Sequence, residues 1–475
     1  MTPAERSLPA DIASEPGSMA ATHSLPPAPR RRSEAYWAGR TRRRRFAFIA
    51  SLAFASAWML FSLWLSLPWL TDLGNLAHPL LALIVLTFIA YVPGFMNAFL
   101  LACLVLRPRS YRATPPQWPA ISLFVAAYEE EELIADTLAS LSRLEYQGEL
   151  EIIVIDDGSK DKTALVAASC HALFAASPNH TLRVEQMAKN GGKARALNHA
   201  LAIASHDLIV SIDADTLLEP GCIVALVEHL HAAPPGTAAI AGSVLVANAK
   251  ESWVTAAQQW DYFHGIAAVK RMQGMFNGTL VAQGAFSLYR REALQQVGGW
   301  PDTVGEDIVL TWALLRRNAV VRHAEDAIAW THAPVRLREL ARQRKRWARG
   351  MIEALAIHKR LLAKRRLSAM FIYWNLMFVS IDLAFTLAFL PGLVLALFGI
   401  FWLAGPITLL VLPLAAMWNI IIYRIQTRTL KREGIAMEKS LGGFLLFAFV
   451  YPLVMQPISV WGYVAEFIGR KKEWG

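Results

Sequence analysis

From Phe46 to about Leu70 the chain carries no charged residue, and a helix of that length rises far enough to cross roughly 30 Å of hydrocarbon. A secretory leader has a shorter apolar centre, so the run is expected to be a retained membrane span. A second apolar stretch, Pro79 to Leu106, contains the helix-disturbing pair Pro93 and Gly94, and Asp72 is the only charge in the linker before it. Residues 46–106 therefore predict two transmembrane helices. Apolar blocks return at about Phe371 to Tyr423, broken by Pro391, Gly392, Gly405 and Pro406, and at Phe444 to Ile468. The first is long enough for two spans across 371–423, and 444–469 is a further membrane segment. The hydrophobic content of 55%, above that of an ordinary soluble domain, goes largely into these blocks.

Charge orients them. The net charge of +10 would by itself suit nucleic acid, anionic lipid or a phosphorylated substrate. Its placement is more telling, because Lys and Arg beside apolar spans mark the cytoplasmic side. Residues 1–45, rich in Pro, Ala, Ser and Arg and ending in Arg42, Arg43, Arg44 and Arg45, are expected to be a disordered basic tail. Arg107, Arg109 and Arg112 bring the chain back to the cytoplasm, where 107–335 would form a soluble domain. A basic stretch at 336–370, including Lys364, Arg365 and Arg366, is expected to lie in the interface. Arg424, Arg428, Lys431 and Arg432 assign the loop 424–443 to the same side. One more crossing would put Arg470, Lys471 and Lys472 of the tail 470–475 outside, so crossing, re-entrant and flat arrangements of 444–469 stay open. The basic residues do not lie among exposed aromatic platforms, which argues against a nucleic-acid partner. Cys103, Cys170 and Cys222 have no CxxC spacing, so neither a disulfide framework nor a zinc–thiolate site is indicated.

Between about Pro119 and Trp330 strand and helix signals alternate, as in an α/β domain. Ile121–Ala127, Ile152–Ile155 and Leu208–Ile212 are short apolar runs ending in polar loops, the pattern of buried parallel strands. Glu130–Leu144 has Leu133, Ile134, Leu138 and Leu141 at helical spacing. In an open α/β sheet the ligand site gathers at the carboxyl ends of the strands, where the acidic loops fall.

Those loops carry the candidate chemistry. Asp156, Asp157, Gly158 and Ser159 suit the hydroxyls of a ribose or the edge of a base, or equally a turn with a helix cap. The sequence KNGGKARALNHAL at 189–201 places two glycines and Lys193 at a helix start, where backbone amides, dipole and ammonium can hold a diphosphate; a solvated basic turn explains it nearly as well. Asp213 and Asp215 follow the run LIVSI, and strand alternation would point both the same way, toward a divalent cation such as Mg²⁺ or Mn²⁺. Glu306 and Asp307 open an apolar helix, as caps or as a general base. Gln343, Arg346 and Trp347 offer an amide, a guanidinium and an indole face suited to a diphosphate and a sugar, in a segment whose other basic residues suit anionic lipid.

Taken in order, AAYEEEE at 126–132, DDGS at 156–159, DAD at 213–215, GED at 305–307 and QRKRW at 343–347 resemble the processive members of glycosyltransferase family 2, which include bacterial cellulose, hyaluronan, chitin-oligosaccharide and poly-N-acetylglucosamine synthases. The resemblance covers about residues 119–350. It implies a type-A glycosyltransferase fold inserted between transmembrane helices of a bacterial inner membrane, with the catalytic domain cytoplasmic. It implies that Asp157 contacts the nucleoside, that Asp213 and Asp215 serve the diphosphate and its Mg²⁺ or Mn²⁺, and that Asp307 is the base. Gln343, Arg346 and Trp347 would hold the diphosphate and the acceptor end, with Lys193 on the donor. VAQGAFSLYR at 281–290 would supply the acceptor loop, with Gly284, Ala285 and Glu306 near the terminal sugar. Two positions depart from the pattern, Glu129 where an Asn is usual and Gly305 where a Thr is usual. The implied partners are a UDP-sugar, UDP-N-acetylglucosamine first and UDP-glucose next, a growing polysaccharide or glycolipid acceptor, membrane lipids and room for a small membrane accessory subunit. A non-processive transferase acting on a lipid carrier, and an inactive nucleotide-sugar-binding export component, are the competing expectations. A cyclic-dinucleotide domain of the kind cellulose synthases carry is not expected.

Overall fold

The computed structural model describes residues 34–107, 112–175, 177–364, 367–403, 406–432, 434–435 and 440–469. The expectations for 1–33, Arg109, Arg365, Arg366, 436–439 and 470–475 lie outside them. Eight strands form one sheet: β1 (Ile121–Ala127), β2 (Leu150–Asp156), β3 (His180–Gln186), β4 (Leu208–Asp213), β5 (Thr216–Leu218), β6 (Thr237–Val246), β7 (Phe286–Arg290) and β8 (Val320–Thr331). Their order is β3-β2-β1-β4-β7-β6-β8-β5. The first four are parallel, with Ala127 opposite Asp156 and Ala126 opposite Asp213. β7 is antiparallel to both β4 and β6, β8 is parallel to β6, and β5 is antiparallel to β8. The strand order reverses direction at β1, so the crevice between β1 and β4 is the topological switch point, and it opens at the carboxylates.

Alternation of side chains divides the core in two. Leu123, Val125, Ile152, Val154 and Val210 face helices Ile134–Ser142 and Cys222–His231. Phe124, Ile153, Ile155 and Ile209 face the helix Lys193–Ile203 through Ala194, Leu197 and Ala200. That second cluster runs on through Met272, Phe276, Phe99 and Phe371, so the α/β domain and the apolar helices share one core. Each of the Val, Leu, Ile, Phe and Met side chains among them contributes about 1.5–3 kcal/mol.

Four described helices, Thr41–Leu65, Pro79–Leu106, Ala369–Leu397 and Leu441–Phe467, are by length and composition able to cross a bilayer. Pro93 and Gly94 do not break the second, because a π-helical turn at Thr87–Tyr91 absorbs the missing bond. Two expectations change. The first helix starts at Glu34, so Arg42–Arg45 belong to the membrane helix rather than to a loose tail. Arg424, Arg428, Lys431 and Arg432 likewise continue the helix Pro406–Arg432 rather than forming a loop. Nothing local stops either helix, since Arg and Lys are good helix formers.

Candidate active site

The strand ends build the site. β2 delivers Asp156 and Asp157, and Asp157 is 3% exposed. Its carboxylate accepts hydrogen bonds from the amides of Gly191 (2.9 Å) and Gly192 (2.7 Å). Gly158 has φ +71°, and a β-carbon there would stand 2.6 Å from the carbonyl carbon of Lys189, so only glycine lets the two loops touch. Asp157, expected at a nucleoside, is thus also the anchor of the glycine loop. Gly192, at φ +88° with open space around it, then starts the helix Lys193–Ile203.

Glu129 adopts φ +54°, and the amides of Glu129 and Glu130 donate to Ser159 Oγ and Thr163 Oγ1, both at 2.9 Å. These bonds hold 129–133 as a turn, so the helix expected from Glu130 begins only at Ile134. The positive φ at Glu129 suits the Asn that is usual there.

Lys193 ties the motifs together. Its Nζ bonds Asp213 and lies 3.4 Å from Glu306. Burial alone would pull this ammonium down, but Asp213 and Glu306 more than reverse that and hold it above the usual lysine range. Asp213 ends β4, and Ala214 and Asp215 form a turn into β5. The aspartates therefore converge through a turn rather than by strand alternation. Asp215 accepts from Thr216 and Thr331, each at 3.3 Å. Burial, then the charge of Asp213, pushes Asp215 up to about 6. Glu130 is pushed to about 7 by burial, Asp215, Asp213 and Asp161. A cation would relieve this repulsion. Among the described residues no cluster of three His, Cys, Asp or Glu forms a complete metal cage. The fit is that of an ion held by one or two carboxylates and completed by diphosphate oxygens and water, as Mg²⁺ and similar ions prefer.

Across the crevice, Asp307 in the first turn of the helix Glu306–Arg316 accepts from Gly284 N (3.4 Å) and Ile308 N (2.7 Å). A β-carbon on Gly284 would meet Lys193 Nζ at 2.7 Å and Glu306 Oε1 at 3.4 Å; Ala285 follows on the same loop. Burial raises Glu306, which Lys193 opposes. The departure at Gly305 has a steric reason, since a β-carbon there would lie 2.8 Å from Gly350 Cα. Val304 N also donates to Glu353 at 2.8 Å. The GED turn is thereby docked on the helix Leu337–Ile357, and Gln343, Arg346 and Val304 line one cleft. Arg346 is exposed, and Trp347 is 39% exposed.

Three residues escaped the sequence reading. Glu130 sits beside both aspartates, and only the run of four glutamates at a strand end hinted at it. Lys270, on the helix Ala268–Met275, is buried without a hydrogen-bond partner among the described residues. Burial draws it down to about 7 against the pull of Asp307. Its signal was a Lys-Arg pair inside an otherwise half-apolar stretch. Asp261 is the third, and its partner Arg344 was read only as part of a basic run.

A family described as Glycosyltransferase like family 2 matches residues 116–350. Residues 116–350 are a glycosyltransferase family 2 domain. The chain is 33% identical over 240 residues to a poly-beta-1,6-N-acetyl-D-glucosamine synthase of Staphylococcus epidermidis, which covers 50% of this chain and 56% of that protein. It is 32% identical over 236 residues to the enzyme of the same name from Staphylococcus aureus (strain COL), covering 50% and 55%. The match thus spans little more than half the length of these curated relatives. Among solved structures, a mannosyltransferase from Pyrobaculum calidifontis in complex with GDP-Man and Mn²⁺ superimposes with a TM-score of 0.55 at 18% identity, over 82% of this chain and 99% of that one. This family 2 domain accordingly has the type-A nucleotide-sugar transferase fold with a mixed sheet.

Proposed function

We propose that the chain is an inverting glycosyltransferase that polymerises a β-linked polysaccharide from a UDP-sugar, with UDP-N-acetylglucosamine the first candidate. The observation that carries the reading is the bridge of Lys193 between Asp213 and Glu306, which sets the DAD acids and Asp307 on opposite walls of one crevice. Two relatives named as poly-N-acetylglucosamine synthases support the choice of sugar.

In this reading the glycine loop that Asp157 anchors borders the nucleotide, and Lys193 and Arg346 balance its diphosphate. Asp213 and Asp215 would hold Mg²⁺ or Mn²⁺, whose charge offsets that of the departing diphosphate. Asp307 takes the proton of an acceptor hydroxyl, whose oxygen bonds to the anomeric carbon as the bond to the diphosphate oxygen breaks. Attack opposite the leaving group converts an α-linked donor into a β product. Gly284, Ala285, Gln343 and Trp347 border the place for the acceptor end. The domain faces the cytoplasm, as the Lys and Arg beside the spans favour, and the apolar helices provide the path by which the product leaves.

The test is to incubate purified protein with labelled nucleotide sugars and Mg²⁺ or Mn²⁺ and to size the products. Long polymer from UDP-N-acetylglucosamine is expected. Single additions to a lipid would indicate a non-processive transferase, and absence of transfer from every donor would overturn the proposal.

A further inference from the structure

Trp347 is a large side chain left 39% exposed beside a polar crevice. One face of its indole is covered by the guanidinium of Arg344, whose Cζ lies 4.1 Å from the ring centroid. Tyr262 packs beside it, with centroids 6.3 Å apart and the planes tilted by 53°. On the same helix, the neighbouring Arg346 lines the cleft together with Gln343 and Val304.

Arg344 does not lie there by stacking alone. Its Nη2 pairs with Asp261 Oδ2 at 2.7 Å, and the Tyr451 hydroxyl donates to that same oxygen at 3.1 Å. Asp261 opens the π-helical turn Asp261–Ala267, a widened turn of the kind used to re-aim functional side chains. Four residues on, Gly265 leaves the carboxylate its room, since a β-carbon there would come 2.8 Å from Asp261 Oδ1. Tyr451 belongs to the fourth apolar helix, Leu441–Phe467. That helix is seated against the one bearing Trp347. A β-carbon on Gly462 would meet Ala348 Cβ at 2.7 Å, and Glu466 pairs with Arg349 at 2.9 Å.

We propose that Arg344, Asp261 and Tyr451 are positioning residues that lock the Trp347 indole as a stacking platform for the acceptor sugar, so that retention of the growing chain depends on the last apolar helix. The proposal rests on the reading above that Trp347 meets the acceptor end. Physically, a guanidinium fixed on one ring face presents the other to the apolar face of a pyranose. The ion pair with Asp261, whose carboxylate the Tyr451 hydroxyl holds in place, keeps the guanidinium from rotating away. Processive transfer needs an acceptor held between additions, so loosening the platform should shorten chains without touching the donor.

The experiment uses the full chain in nanodiscs, with Tyr451→Phe, Gly265→Ala and Asp261→Asn. Tyr451→Phe keeps the ring and removes one hydrogen bond, while Gly265→Ala displaces the carboxylate without changing any charge. For each variant the KM for UDP-sugar, the KM for a short β-linked oligosaccharide of the same sugar and the product length are measured. The expected result is an unchanged donor KM, an oligosaccharide KM several-fold higher and polymer several-fold shorter, with Gly265→Ala the stronger. Arg344→Lys should fail to rescue, because an ammonium cannot lie flat on the indole. In parallel, the protein is labelled with 5-fluorotryptophan, and the Trp347 resonance is assigned by its loss in Trp347→Phe. That resonance should be narrow in the parent and shifted or broadened in the variants. An unaltered resonance would overturn the lock whatever the activity of the parent. A shifted resonance with unchanged product length and oligosaccharide KM would overturn its role in retention. A parent that transfers no sugar while the resonance still responds would overturn the polymerase reading and leave the lock standing.

Discussion

Along β3-β2-β1-β4 the functional groups stand within a residue or two of a strand end and are held by backbone. Asp157 grips two amides of the next loop, and Gly158 sits against Lys189. On the β7-β6-β8-β5 side the supports are distant side chains. Glu325 of β8 pairs with Arg107, at the exit of the second apolar helix, and at 2.8 Å with Arg271. Arg271 in turn bonds Gln426, whose amide donates to Phe263 O at 2.9 Å. The first half closes on itself, whereas the second is completed by the apolar helices. The lesson is that one half of a sheet can be held by local chain, while the other here takes its geometry from the apolar helices packed against it.

The largest effect should come where the halves meet. Asp307→Asn keeps a cap-competent acceptor but takes no proton at neutral pH, so elongation should fall by about 10² to 10⁴ while UDP binding stays near that of the parent. Sugar incorporation set against UDP titration checks this, and near-normal elongation would pass the role of base to another acid.

The next prediction sets one half directly against the other. Glu325→Ala leaves Arg107 and Arg271 without their carboxylate in the interior, which should cost about 3–5 kcal/mol of stability. Asp157→Asn should cost about 1–3 kcal/mol, expressed chiefly as weaker UDP binding through a loosened glycine loop. Thermal unfolding in nanodiscs and UDP titration of both variants decide it. Equal loss of stability in the two would erase the contrast between a self-supported and a membrane-supported half.

The smallest expected effect concerns pH. Asp215 at about 6 and Glu130 at about 7 lie above the ordinary carboxylate range, so the folded chain takes up these protons more readily than the unfolded one. Free of metal, it should therefore gain stability as pH falls from above 7 toward 4. A cation at Asp213 and Asp215 must displace the proton on Asp215, so apparent Mn²⁺ affinity should be about fourfold weaker near pH 5.5 than near pH 7.5. Mn²⁺-dependent melting shifts at the two pH values provide the check, and Asp215→Asn should remove the difference.

Hydrophobic runs and turn chemistry are local, and so the long apolar helices, strands β1, β2 and β4 and the acids at their ends were all legible in the sequence. The same local logic explains where it fell short. Nothing in Arg42–Arg45 or Arg424–Arg432 marks the point at which a membrane helix should stop, and a free alternation argument could not see that Asp213 and Asp215 straddle a turn. Sequence alone also showed carboxylates at strand ends, two glycines before a lysine at a helix start and an acid opening another helix, because each is a property of a few neighbouring residues. Only the tertiary structure decided which of them meet. Lys193 reaches Glu306 because β4 and the helix Glu306–Arg316 face one crevice, and Asp261 receives Tyr451 from 190 residues away. Such contacts depend on packing between elements whose order in space the chain's local preferences do not encode.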